Sequence, residues 1–387
     1  MKRFKNILKF VEAHEGLLFV LLIVAVLRIP SLFEPNRYGD ENIYLTLGMG
    51  LRRGLVFYRD IHDNKPPLLY LLAAVSGSVV WFRLILLAWN GVNIILINLL
   101  AKKLMKNSRT VFLTTILFGL LGAIPLIEGN IANGEIFMIM PTTAAVLLLF
   151  AKKQRDFLVG FLLAVAFLFK VPVVFEVVAI LVYVTLYQCK TAKDVVLIFV
   201  NKRAWLIGVG FITPIILSVI YYYAMGAGEA YVRAALMQNV GYVSSWGNKV
   251  AVPFYQNGLV IRGFIWLLSI GIIISQKKYL KEKFGMVALW FGGALFGAML
   301  SGRPYPHYII EVLPPFVLLV GMLASKFSIK KVLVCLMLWS ALVTSVVYYK
   351  YWYYPSLGYY ENFVRYATGN RSEADYRNWF GWGVNRN

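Results

Sequence analysis

Apolar residues fall in long blocks separated by short polar stretches along almost the whole chain. A helix crossing the hydrocarbon core of a bilayer needs roughly 17 to 25 mainly apolar residues. Blocks of that order lie near 16–30, 80–101, 110–127, 135–151, 157–171, 173–189, 204–224, 258–275, 285–301, 308–325 and 331–349. They predict an all-α polytopic membrane protein with about eleven transmembrane helices. The stretch 68–101 is nearly all apolar, and as a single helix it would be about 50 Å long against a core of about 30 Å. Two short spans, or one span preceded by a surface helix over about 66–79, would both fit. Between Asn42 and Arg53 the polar residues Asn42, Thr46 and Arg53 share a helical stripe, while Ile43, Tyr44, Leu47 and Leu51 cover the rest. That pattern predicts an interfacial helix within the loop 30–67.

Charge decides between the two topologies. Basic clusters border the blocks: Lys102, Lys103, Lys106 and Arg109; Lys152, Lys153 and Arg155; Lys190, Lys193, Lys202 and Arg203; Lys277, Lys278, Lys281 and Lys283; Lys326, Lys330 and Lys331. One span plus a surface helix in 68–101 puts all of them on the cytoplasmic side, as the positive-inside rule requires. The N-terminus, with Lys2, Arg3, Lys5 and Lys9, is then inside too. No small-residue cleavage site follows 16–30, so it reads as an uncleaved span of an integral plasma (inner) membrane protein. The outer side receives the loop 30–67, the short loop from Glu128 to Glu135, the loop 225–257, the turn from Arg303 to His307 and the tail from Lys350.

Composition agrees with this placement. With 60% hydrophobic and only 15% charged residues, the chain exceeds what one soluble core can hide. The net charge of +21 resides in those border clusters, which anchor and orient a chain on anionic lipid and imply no nucleic acid partner. Cys189 and Cys335 both fall near the cytoplasmic side, which argues against a structural disulfide, and neither has the spacing of a metal site. One membrane domain, 1–349, and a short outer tail, 350–387, are expected. The tail is marginal in length for an independent domain.

Polar chemistry therefore concentrates at the outer ends of the spans. The loop 30–67 carries Asp40, Glu41, Arg52, Arg53, Arg59, Asp60, His62, Asp63 and Lys65, a high density for a connector. Asp40, after Gly39 and before Glu41, is a good helix N-cap and equally a rigidly held carboxylate able to take a proton. Pro66 and Pro67 pin Lys65 at the membrane boundary, where an ammonium either snorkels or holds a phosphate. The second acidic patch, "IEGNIANGEIF", supplies Glu128 and Glu135; Lys170 ends another span just before Pro172, and "SGRPYPHYIIEVLPP" brings Arg303, His307 and Tyr308 to the same layer. Glu176 and Glu311 lie about a turn further in, where salt bridges with Lys170 or Arg303 are their expected use.

The Asp40-Glu41 pair after the first span, "YRDIHDNKPPLLY", the acidic second outer loop and "HYIIEVLPP" together resemble the GT-C glycosyltransferases. Within them they are most similar to the branch holding the protein O-mannosyltransferases and the lipid A aminoarabinose transferases, over roughly residues 1–325. The resemblance implies transfer of a sugar from a polyprenyl-monophosphate carrier to an acceptor hydroxyl of a lipid, glycan or protein outside the membrane, with inversion. Asp40 would be the general base and Glu41 would orient a substrate. Lys65, with Arg59, Lys170 or Arg303, would bind the donor phosphate, and Glu128 or Glu135 would correspond to the family's second acidic motif. Asp60, Asp63, His307 and Tyr308 are further outer candidates. No cofactor is expected: several outer carboxylates could gather a divalent ion, yet His and Asp lack a ligand spacing. The large soluble domain that some relatives append has no counterpart in this sequence, so acceptor recognition would fall to the loops 30–67 and 225–257 and to the tail. The competing readings are a transporter or flippase of a lipid-linked sugar and an undecaprenyl-diphosphate-dependent polymerase or ligase. Ionisable groups gathered at outer span ends, with few interior helix breakers, favour the transferase.

Overall fold

The computed structural model describes residues 2–36, 38–187, 201–238 and 257–381, and among these every regular element is helical, apart from one isolated bridge between Phe57 and Ile61. Cys189, Lys190, Lys193 and most of the loop 225–257 lie outside the described residues. Six helical segments are long and apolar enough to cross a membrane: His14–Phe33, Val79–Leu104, Lys202–Ala224, Gly258–Ser275, Pro306–Ser325 and Ile329–Tyr348. The chain is thus an all-α protein of membrane type. The remaining expected blocks form shorter helices.

In chain order the helices are α1 (Lys2–Phe33), α2 (Gly39–Arg52), α3 (Leu68–Ser76), α4 (Val79–Leu104), α5 (Ser108–Leu121), α6 (Gly134–Leu149), α7 (Asp156–Phe169), α8 (Val174–Val182), α9 (Lys202–Ala224), α10 (Gly228–Tyr231), α11 (Gly258–Ser275), α12 (Glu282–Ala298), α13 (Leu313–Ser325), α14 (Ile329–Tyr348), α15 (Ser356–Ala367) and α16 (Glu373–Asn378). The long apolar run 68–101 divides where expected. Gly77 takes a left-handed φ of 68° that closes α3, and the Ser78 hydroxyl accepts the Trp81 N–H at 3.3 Å to open α4. The block 157–171 ends early because Lys170 is extended ahead of the short turn Val171–Val173, which contains Pro172. With 14 residues, α7 is only about 21 Å long.

The bundle is centred on α12, which is buried on nearly all sides between α8, α11 and α13. A second seam, α4 against α6 and α7, is filled by a ring chain: Phe82 stacks on Phe137 and Phe137 on Phe169, with Trp89 edge-on to both Phe137 and Phe169. Elsewhere the close contacts depend on missing side chains. A Cβ on Gly160 of α7 would stand 2.0 Å from the Ile207 carbonyl oxygen of α9, and one on Gly210 of α9 would stand 2.1 Å from the Phe157 oxygen of α7. The two backbones therefore touch directly, as small residues allow in membrane helices. Gly160→Leu is expected to abolish the monodisperse elution of detergent-extracted protein, and an unchanged profile would refute this contact.

Helix ends sort the charges to two ends of the bundle. At one end the Lys103 ammonium donates to the Phe150 carbonyl at 3.4 Å, Lys283 donates to the Lys103 carbonyl at 2.6 Å, and Arg203 pairs with Asp156 at 3.1 Å. The other end joins the C-terminus of α1, α2, α3, the N-termini of α4 and α6 and the segment before α13. The tail packs on this second end. α15 and α16 share a small core of Tyr359, Tyr376 and Phe380, Phe363 lies 5.5 Å from Phe33, and the Tyr360 hydroxyl donates to the Leu27 carbonyl at 3.2 Å.

A further tether of the tail is the Tyr359 hydroxyl, donating to Glu34 at 3.3 Å. Burial pushes the Glu34 carboxyl up to about 7 despite the opposing pull of Arg83, so folding favours its protonated form. The resulting stability is full below the ordinary carboxyl range, near 4.5, and is lost as the pH rises through about 7. Protease cleavage within 350–381 should accordingly increase between pH 5 and pH 8, and Glu34→Gln should remove that dependence. A flat pH response in the parent protein would contradict the assignment.

Candidate functional site

The site begins where α2 starts. Tyr38, not Asp40, occupies the N-cap, and it makes no capping bond with its side chain. The expected Asp40 cap is therefore not formed: Asp40 lies inside the first turn, where its charge complements the helix dipole and both carboxylate oxygens are left for other partners. One turn along, the Tyr44 hydroxyl donates to Asp40 Oδ2 at 3.1 Å, and Lys65 Nζ stands 3.9 Å from the same oxygen. Lys65 also lies 4.0 Å from Asp63 and 4.9 Å above the Tyr44 ring.

The Lys65 loop is fixed by its own hydrogen bonds. The Tyr58 hydroxyl donates to the Lys65 carbonyl at 2.7 Å, Tyr70 donates to Asp63 Oδ2 at 2.6 Å, and Asp63 Oδ1 accepts the Asn64 N–H at 2.6 Å. Tyr58 holds a left-handed φ of 73°, a strained conformation for a residue with a side chain. Pro67 then caps α3. α3 lies close against α2: a Cβ on Gly48 would come within 2.6 Å of the Ala74 nitrogen. This packing fixes the distance between Asp40 and Lys65.

A buried second layer adjoins this pair. Glu128 follows the short turn Pro125–Ile127 with a left-handed φ of 60°, and this turns its side chain inward. Its carboxylate accepts the Tyr38 hydroxyl at 2.6 Å and is bonded to His307 Nδ1. The other ring nitrogen, Nε2, is 3.7 Å from Glu135 Oε1, and Lys170 donates to that oxygen while standing 4.1 Å over the Tyr308 ring. Tyr305 stacks on His307 and meets Trp352 of the tail edge-on. His307 thus bridges the two glutamates of the second acidic patch, and both belong to one network.

The two layers differ in access, and this separates their chemistry. The Asp40 and Lys65 side chains are 36% and 24% exposed, whereas those of Glu128, Glu135 and His307 are 1%, 3% and 6% exposed. The first pair is partly open to solvent, while the closed second layer sets its field. Burial is the largest influence on Asp40 and raises its pKa, but Lys65, His307, the Tyr44 hydrogen bond and Lys170 together outweigh it and hold the carboxyl below its ordinary value. Tyr38 is pushed well up by burial and by Glu128, so it remains a hydrogen-bond donor. At neutral pH the arrangement offers an ionised, partly open carboxylate beside an ammonium.

Several candidates stand elsewhere. Glu41 is fully buried and held by Arg83, with Nη2 at 2.6 Å and Nε at 3.2 Å from both oxygens, while Arg83 Nη1 also donates to the Ser31 and Glu34 carbonyls at 2.6 and 2.8 Å. Its carboxylate belongs to a pair that ties α2 to α4 and to the end of α1. Arg59 pairs with Asp60 at 2.9 Å and reaches the Met225 carbonyl at 3.3 Å, away from Lys65. Arg303 is half-buried four residues before His307. The expected bridges of Glu176 and Glu311 to Lys170 or Arg303 are not formed. Glu176 accepts the Trp290 indole N–H, and both oxygens of Glu311 lack a hydrogen-bond partner, because Lys170 has turned to Glu135.

The residues that sequence reasoning missed are Tyr38, Tyr44, Tyr70 and Arg83. A single arginine early in an apolar block was the available signal for Arg83, since such a charge is costly unless partnered. Among the described residues no group of three or more His, Cys, Asp or Glu side chains is arranged to hold a metal ion. Compared with known proteins, the chain matches no family model, no curated protein and no solved structure.

Proposed function

We propose that the protein is a membrane glycosyltransferase of GT-C type that moves a sugar from a polyprenyl-monophosphate carrier to an acceptor hydroxyl. The observation that carries this reading is the partly open Asp40–Lys65 pair, a carboxylate and an ammonium 3.9 Å apart at the edge of an apolar bundle. In the reaction, Asp40 takes the proton of the acceptor hydroxyl as that oxygen attacks the anomeric carbon from the face opposite the phosphate. The bond from the anomeric carbon to the phosphate oxygen breaks, and the polyprenyl phosphate leaves with the electron pair. Lys65 meets the charge on the leaving phosphate, and Lys170 adds to the field from behind. Glu128, Glu135 and His307 position Lys170 and Tyr38. Positive-inside orientation puts this end of the bundle on the outer side of the inner membrane, and about eleven crossings follow if the shorter helices also traverse it.

The reading is tested with purified protein, a polyprenyl-monophosphate sugar and acceptor membranes, together with mass spectrometry of the lipid that co-purifies. Sugar transfer is expected, and Lys65→Ala should raise the donor KM about tenfold or more, as loss of a charged phosphate contact does. A protein that moves the intact lipid-linked sugar across vesicles without transferring it would replace the proposal with the flippase reading.

A further inference from the structure

On the far side of the Lys65 loop, between it and the junction of α9 with α10, lies a cavity of about 620 Å³. Its polar and aromatic lining includes Tyr58, Arg59, His62, Tyr223, Glu229 and Arg233. We propose that this cavity is a carbohydrate subsite, taking the acceptor as a neutral glycan; in this it rests on the transferase reading.

Three observations point to a saccharide. The first is the donor and acceptor set. Guanidinium and carboxylate groups are planar forks, suited to the paired hydroxyls of a sugar ring, and His62 adds a single ring nitrogen that can donate or accept. His62 and Arg233 are both exposed, and among the described residues neither has an ion-pair or hydrogen-bond partner. The second is charge balance. Arg59 is paired with Asp60 at 2.9 Å, and Glu229 lies in the same wall as Arg233, so the cavity carries little net field and suits a neutral, hydroxyl-rich ligand better than a phosphate. The third is the aromatic surface. Tyr223 is 56% exposed, presenting a face that a sugar's C–H groups can cover, while Tyr58 closes the inner wall against Tyr222 and Tyr231, each 4.9 Å from its ring. The volume falls within the range of small-ligand sites.

The cavity is also tied to the proposed chemistry. Tyr58 faces it, and its hydroxyl donates to the Lys65 carbonyl at 2.7 Å, so occupancy at this wall bears on the loop that sets the Asp40–Lys65 distance. The walls are held by tight backbone: Tyr58 and Gly226 take left-handed φ values of 73° and 67°.

Saturation-transfer NMR on the full chain in nanodiscs, with mannose, galactose, N-acetylglucosamine and maltotriose as probes and inorganic phosphate as the competitor, tests this. At least one saccharide is expected to show contact, undisturbed by phosphate and weakened about tenfold in Tyr223→Ala and in Arg233→Ala, each of which removes one exposed contact. Asp40→Asn should bind that saccharide as the parent does. Absence of saccharide contact from all four probes overturns the proposal, as does contact that both wall variants retain or displacement by phosphate. Saccharide binding lost in the wall variants, in a protein whose transfer is indifferent to Asp40→Asn, would keep the subsite and remove the catalytic reading.

Discussion

Replacing Asp40 with Asn is expected to lower kcat for sugar transfer at least about a hundredfold, the loss typical when a general base is removed. The substitution preserves shape, and its carbonyl can still accept the Tyr44 hydroxyl, which lies 3.1 Å from Asp40 Oδ2 in the parent. What it removes is the ability to take a proton and the charge opposite Lys65. Elution and thermal stability should match the parent, because the side chain is a third exposed and belongs to no buried pair. The pH profile carries a second mark. Burial opposes ionisation, but Lys65, His307, the Tyr44 hydrogen bond and Lys170 together hold the Asp40 carboxyl down, so it stays ionised through neutral pH and activity should fall only below the ordinary carboxyl range. Lys65→Met should move that fall upward. An Asp40→Asn protein of normal activity would remove the base from the proposal.

The largest loss of stability is expected from Arg83→Met. It strands the Glu41 carboxylate, 0% exposed, without the guanidinium that holds both of its oxygens, and it frees the Ser31 and Glu34 carbonyls. Removing one partner of a buried ion pair costs about 3 to 5 kcal/mol. The double variant Glu41→Leu with Arg83→Met removes both charges and should regain more than half of the loss, as read by chemical unfolding in detergent. A double variant no better than the single would show that Arg83 acts through the carbonyls and not through Glu41.

The all-helical membrane character was legible from the apolar blocks and their basic borders, and length showed that the run 68–101 must divide, while the basic clusters chose a surface helix before the span; that the division falls at Gly77 and Ser78 is seen only in the fold. Asp40, Lys65, Glu128, Glu135, Lys170 and His307 could be gathered as candidates because each lies at, or in a loop joining, the outer ends of apolar blocks. Which of them touch could not be read. That depends on the tertiary path of loops: the turn at Glu128 with its left-handed φ, and the extended Lys170 that brings its ammonium back to Glu135. The Asp40 cap was misread because capping reasoning is local, whereas Tyr38 is held at that position by Glu128, ninety residues away in sequence. Glu41 and Asp40 looked alike as neighbours, and only the helical turn between them sends one toward solvent and the other onto Arg83.

The facing glycines of α7 and α9 have a meaning for ancestry as well as for packing. A side chain at Gly160 or Gly210 would strike the opposite backbone, so neither position is free to drift while the helices stay together. A distant chain built on the same plan should carry small residues at both places even where its loops, tail and surface have diverged beyond recognition. That pair, fifty residues apart in sequence, is therefore a marker by which kin of this protein can be told from other apolar helical chains.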